Sequence, residues 1–179
     1  QNKAYMVTFK QIDPLFVIDL EDPKSPKVLG KLKIPGYSDY LHPYNDDILI
    51  GLGKDAYENE HGQTVTGGVK FSLFDVSDVA NPKEIDNYIV GDTGSNSLAL
   101  NDHKAFYFNR DKNLLAVPVT IREKTAENNY GTQTFSGAIV FNIDENGFDL
   151  KGKIDHSDGG EVSNSDYWRG YSYYDNNVQ

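Results

Sequence analysis

Two histidines in this chain lie beside aspartates: Asp39 precedes His42 by three residues, and Asp102 directly precedes His103. Imidazole nitrogens combined with carboxylate oxygens form a donor set suited to zinc and related metals. A metal held this way can activate water for hydrolysis. The two words differ in register, Leu-His-Pro against Asp-His-Lys, and a histidine bonded to neighbouring backbone needs no metal.

Oxygen donors gather in two further segments. Lys54–Gly68 carries Asp55, Glu58, Glu60 and His61 with the aromatic Tyr57, and Arg122–Ser136 carries Glu123, Glu127 and Asn128 with Tyr130. Carboxylates and amides of this kind are ligands for Ca²⁺, which takes six to eight oxygens. They are equally the composition of solvated acidic loops. The stretch from Asn142 to Asp149 opens like a calcium loop, but Lys153 occupies the place of the closing glutamate. Asn146-Gly147 reads instead as a hairpin turn with positive φ at its centre. Other reaction signatures are missing. There is no Gly-x-Ser-x-Gly elbow, P-loop or Gly-x-Gly-x-x-Gly. Paired carboxylates carry little information in a chain with 27 acidic residues.

The chain has 179 residues, the size of one domain, and a formal net charge of −10. That charge repels phosphate backbones and argues against nucleic acid as a partner. No apolar run approaches the roughly 18 residues of a spanning helix. Cysteine is absent, which removes disulfides and thiolate chemistry. With 12 Tyr and 9 Phe, the chain has aromatic area enough for a core.

Helical periodicity is absent. Short runs rich in Val, Ile, Phe and Tyr recur between Gly, Asp, Asn and Pro, which predicts strands. Eleven are expected: 4–9, 15–19, 27–34, 39–44, 47–51, 69–75, 84–90, 105–108, 114–121, 138–143 and 149–154. A repeat organises them. Asp19, Asp22, Pro26 and Lys27 match Asp75, Asp78, Pro82 and Lys83, each pair 56 residues apart. A weaker third copy places Asn142 where Asp75 stands, 67 residues on. Four short antiparallel strands in 50–60 residues is the arithmetic of a propeller blade. The shared Asp-x-x-Asp-x-x-x-Pro-Lys is a turn signal, since Asp caps backbone N–H groups and Pro pre-sets φ.

Long words support a specific resemblance. Tyr5–Leu20, Lys31–Tyr44, Gly68–Asp78, Asp102–Phe108 and Asn113–Pro118 are similar to the secreted β-propeller domain proteins of archaea and bacteria, distant relatives of WD-40 repeats. The resemblance implies an all-β propeller at an extracellular or cell-surface location. It implies no reaction and no catalytic residues. Blade portions are expected at 1–36, 37–91 and 92–156, with 157–179 leading into a further blade, so the chain is expected to be a propeller fragment.

In such blades, alternate connections share one face. The long segments 54–68 and 122–136 and the Gly/Ser-rich 91–101 are expected together there. Tyr57, Glu58, Glu60, His61, Asp92, Glu123, Glu127 and Tyr130 are the candidate ligand-binding residues. Asp39, His42, Asp102 and His103 are candidate metal ligands near the axial channel. The aromatic stretch Asp166–Asp175 suits either sugar stacking or packing against another blade. The first functional expectation is a non-catalytic binding or scaffold module for protein or carbohydrate. No cofactor is required, with Ca²⁺ the one entertained. The rival is a metal-dependent hydrolase using channel histidines. Exposed blade flanks, expected to be rich in Val, Ile, Phe and Tyr, predict self-association.

Overall fold

The computed structural model describes residues 2–8, 14–125 and 128–156, with Asn129 and Tyr130 described as backbone alone. The expected C-terminal aromatic cluster and Glu127 lie outside the described residues. Three antiparallel sheets follow one another along the chain. The first contains β1 (Lys3–Val7), β2 (Pro14–Asp19) and β3 (Lys27–Lys33). The second contains β4 (Tyr37–Pro43), β5 (Ile48–Glu58), β6 (Thr64–Asp75) and β7 (Lys83–Val90). The third contains β8 (Tyr107–Asn109), β9 (Leu114–Thr125), β10 (Asn128–Asp144) and β11 (Gly147–Asp155). In each sheet the strands lie in chain order. The regular helix among the described residues is confined to single 3₁₀ turns, as at Leu98–Leu100 and His103–Ala105. The all-β reading therefore holds, with blades of a partial β-propeller.

The sheets stack face to face. On β6, Val69, Phe71 and Leu73 enter the main core with Leu115, Val117, Val119, Ile139 and Phe141 of the third sheet. Phe74 and Val76 enter a second core with Leu15, Ile34 and Leu49, between the first and second sheets. Because both faces of β6 are covered, its buried run is continuous from Gly67 to Phe74 rather than alternating. The outer strand β7 is covered on one face and alternates exposed with half-buried residues. Burying each of these core aromatics contributes about 1.5–3 kcal/mol.

The repeat is physical. Each sheet has a bulge between its last two strands, at Val17/Ile18, Leu73/Phe74 and Val140/Phe141 in the sheet order. These positions keep the spacing of the sequence repeat. The turns after them are capped by aspartates. Asp19 Oδ1 accepts the Glu21 N–H at 2.9 Å, and Asp75 Oδ1 accepts the Ser77 N–H at 2.9 Å and the Ser77 hydroxyl at 2.6 Å. The third turn departs from expectation in two ways. Its cap is Asp144, whose Oδ1 accepts the Asn146 N–H at 2.7 Å, two residues beyond the aligned Asn142. Its centre is Glu145-Asn146, because Asp144 pairs with Gly147, and Gly147 has no positive φ. The strand continues two residues further, so the turn is shorter and the capping carboxylate moves with it.

Tyr5 and Val7 pack toward the second sheet, leaving Met6 on the open side, 47% exposed. The open face of the third sheet carries a groove of about 400 Å³ whose lining combines Leu98, Pro118, Val119 and Ala138 with the hydroxyls of Ser97 and Thr120.

Candidate functional site

The segments expected to be long loops are strands. β5 runs on to Glu58 and β6 begins at Thr64, with Ala56, Tyr57 and Glu58 paired to Thr66, Val65 and Thr64. The connection shrinks to Asn59–Gln63. There the Asn59 Oδ1 accepts the N–H groups of His61 at 3.0 Å and Gln63 at 2.9 Å, while Gly62 takes φ +71°. β9 likewise reaches Thr125 and β10 starts at Asn128. The charged residues suggested loops, but Thr64-Val65-Thr66 and Thr132-Gln133-Thr134 carry the β-branched residues that favour pleated backbone. Two hairpin arms therefore extend from adjacent sheets.

The arms touch. Lys124 on β9 places Nζ 2.5 Å from the Tyr57 hydroxyl and 5.3 Å from the centre of that ring. An ammonium over an aromatic face is attracted by the ring quadrupole. Behind this contact, Asp92 Oδ2 accepts the Lys124 N–H at 2.9 Å. The 91–101 segment is bound to both arms. Thr93 donates its hydroxyl to the Thr66 carbonyl at 2.8 Å, and Asn96 and Thr120 exchange two backbone bonds of 2.8 Å. Lys54 donates Nζ to the Ser95 carbonyl. Burial pulls the Lys54 ammonium below its ordinary pKa, while Asp39 opposes that shift.

The structure thus brings Tyr57 and Asp92 together through Lys124. Glu58, Glu60, His61 and Glu123 are exposed along the arms. Glu127 and the Tyr130 side chain lie outside the described residues.

The four expected metal ligands have other engagements. The Tyr40 hydroxyl and His42 Nδ1 lie 2.9 Å apart, and the His103 ring stacks on Tyr40 with centroids 6.3 Å apart. His42 also packs against Phe106 at 5.2 Å and Phe108 at 5.4 Å between ring centroids. Burial lowers its pKa from the ordinary 6.5. Asp102 Oδ1 caps a 3₁₀ turn by accepting the Lys104 N–H at 3.0 Å. Burial raises the Asp39 carboxyl above its usual range, with Lys54 acting in the opposite direction. Among the described residues, no three His, Asp or Glu side chains converge as a metal site.

What gathers around the histidines is an aromatic seam between β4 and the segment leading into β8. It continues to Tyr44, which lies 5.6 Å from Phe108 and under the Arg110 guanidinium at 5.7 Å. Tyr40, Tyr44, Phe106 and Phe108 were not singled out as site residues by spacing. Their signal was the two-residue period of Tyr40-x-His42-x-Tyr44 and Phe106-x-Phe108, which puts rings on one face of each strand.

The comparisons fit this architecture. An uncharacterized protein of Methanocaldococcus jannaschii is 39% identical over 155 residues, covering 87% of this chain and 21% of its own length. An uncharacterized protein of Archaeoglobus fulgidus is 40% identical over 115 residues, covering 64% of this chain and 17% of its own length. The chain therefore spans about a fifth of the length of these curated relatives. The sequence profile of the Beta propeller domain matches residues 1–179, and with three stacked antiparallel sheets behind that match, the chain belongs to the β-propeller domain family.

Proposed function

We propose that this chain is a non-catalytic binding or scaffold module that works outside the cytoplasm and meets a protein or carbohydrate with its hairpin arms. One observation carries the reading. Lys124 of one arm braces Tyr57 of the other, so two sheets present a joined, preorganised surface. Preorganisation lowers the ordering cost of binding. Tyr57 remains 42% exposed, and a half-exposed tyrosine offers an apolar ring beside a polar tip. The extracytoplasmic placement rests on the resemblance to secreted proteins. Self-association through the open sheet flanks belongs to the same proposal.

The test replaces Glu58–Gln63 with a short glycine link. Closing a different loop length changes stability little, so the variant is expected to fold. Retention on isolated archaeal cell envelopes should fall about tenfold, corresponding to roughly 1.4 kcal/mol. Equal retention of a folded variant would remove the arms from the binding surface, and no retention of the parent chain would remove the reading itself.

A further inference from the structure

The contact between the arms fixes which atoms donate. Lys124 Nζ donates to the Tyr57 hydroxyl oxygen at 2.5 Å and lies 5.3 Å from the ring centre, so the ammonium stands at the polar end of the phenol. An ammonium has three N–H donors and no acceptor. The Tyr57 oxygen is therefore the acceptor of this bond, and its own proton points elsewhere. Together the pair presents the phenol O–H and the remaining ammonium N–H groups, all of them donors. An acceptor group completes such an array, and the positive charge favours an anionic one.

The ring beside the array is a platform. Tyr57 is 42% exposed, and Val65 stands directly across the β5–β6 ladder from it. A cross-strand pair of an aromatic and a β-branched residue steadies the ring. Both strands are pinned near this point: Asp92 Oδ2 accepts the Lys124 N–H at 2.9 Å, and the Thr93 hydroxyl donates to the Thr66 carbonyl at 2.8 Å. Among the described residues of the arms, Tyr57 is the one large apolar side chain that is exposed, while Glu58, Glu123, Lys124 and Thr125 are exposed and polar. A protein partner is held by a desolvated apolar centre. A single ring in polar surroundings suits a sugar instead, which lays a C–H face on the ring and bonds through its rim.

Glu58 and Glu123 also limit the charge of the ligand. On a chain of net charge −10, they oppose a densely anionic polymer. One carboxylate flanked by neutral units meets the donors without that repulsion.

On the reading of the arms as the binding surface, we propose that Tyr57 and Lys124 form a subsite for a carboxylated sugar, a uronate within an otherwise neutral polysaccharide. The pyranose lies on the Tyr57 ring. Its carboxylate, carried outside the sugar ring, reaches past the phenol edge to the Tyr57 O–H and the Lys124 ammonium. The two side chains come from different sheets, so the subsite exists where the arms meet.

The experiment is a calorimetric titration of the 179-residue chain with a tetrasaccharide of alternating glucuronate and N-acetylglucosamine, beside the methyl ester of the same sugar. At physiological ionic strength the acid is expected to bind about tenfold or more tightly than the ester, the margin of a charge-assisted hydrogen bond. Lys124→Met, shown to be folded by circular dichroism, should bind acid and ester alike. Tyr57→Phe should bring the acid's affinity toward the ester's, and Tyr57→Ala should lose both. Equal affinity of acid and ester for the parent chain overturns the subsite, as does an undiminished preference in Lys124→Met. Failure of the parent to bind either sugar overturns it too. If cell envelopes still retain the parent chain in that case, the arms hold a different ligand; if retention is absent as well, the binding role of the arms falls with the subsite.

Discussion

Asp86 of the second sheet reaches across to the third, where its Oδ2 accepts the Phe148 N–H at 2.8 Å. A Cβ on the preceding Gly147 would stand 2.3 Å from that oxygen. Gly30 holds the ladder position in the first sheet that Asp86 holds in the second, opposite Val17 and Leu73 respectively. A Cβ on Gly30 would lie 2.0 Å from the Val79 carbonyl in the next sheet's turn. The same place in the repeat thus meets the neighbouring turn twice. The longer turn comes close enough to require glycine; the shorter one leaves room for a bridging carboxylate.

Asp86→Ala is expected to cost about 1.5–3 kcal/mol, the value of a hydrogen bond to a charged group. Gly147→Ala should cost a similar amount by displacing the same carboxylate. The double variant should cost clearly less than the two together, because both remove one bond. Denaturant titration of the four proteins measures this; strict additivity would mean that the two changes act independently.

Lys70 is 5% exposed, with Nζ 3.0 Å from Glu84 Oε1 and 3.1 Å from the Pro35 carbonyl. It ties β6 to β7 and to the chain passing from the first sheet to the second. Lys70→Ala leaves the Glu84 carboxylate, itself 15% exposed, without its cation, and should cost about 3–5 kcal/mol. Replacing both together, as Lys70→Met with Glu84→Leu, should restore most of that stability. Chemical unfolding of the double variant checks this, and a loss as large as the single variant's would refute the ion-pair account.

Bonds from the Ser77 hydroxyl and then the Ser77 backbone hold the Asp75 carboxyl below its ordinary pKa of 3.8. A lowered carboxylate pKa stabilises the fold above 3.8, and the benefit is lost as pH falls through the folded value. Asp75→Ala should cost about 0.5–2 kcal/mol at neutral pH, as lost caps do. Its stability should then fall less steeply than the parent's below about pH 4. Thermal melts from pH 7 to 2.5 give both readings. Parallel curves would show that Asp75 does not titrate differently on folding.

His42 titrates in the opposite sense to a paired histidine. Burial among Tyr40, Phe106 and Phe108 lowers its pKa from 6.5, so the folded state resists protonation. The unfolded chain binds the extra proton first, and stability declines as pH falls below 6.5. His42→Phe retains the ring packing while removing the titration. The melting temperature of this variant should therefore drop less than the parent's between pH 8 and 5.5. An identical drop would assign that slope to other groups.

The blade repeat could be read from residues because its turn is a local device. Asp19 and Asp75 cap the backbone two residues on, and that chemistry requires nothing distant. The equivalence of Asn142 also holds at the bulge, yet the cap sits at Asp144. Strand length is set by the pairing of β10 with β11, so the aligned Asn142 did not locate the turn. The arms illustrate the converse. Glu58 and Glu123 look like loop residues, but hydrogen-bonded ladders absorb charged side chains when these point to solvent.

The amino-acid order alone determined an all-β chain of repeated four-stranded units, the capped turns and the family resemblance, since each depends on contacts a few residues apart. The tertiary structure decided what the functional candidates touch. His42 and His103 both pack on Tyr40, and Tyr57 meets Lys124 from 67 residues away. Those relations depend on how the sheets stack. Stacking is set by the summed packing of residues distant in sequence, such as Phe71 against Phe141, with ring centroids 5.0 Å apart. No spacing rule along a single strand encodes which ring on the next sheet it will meet.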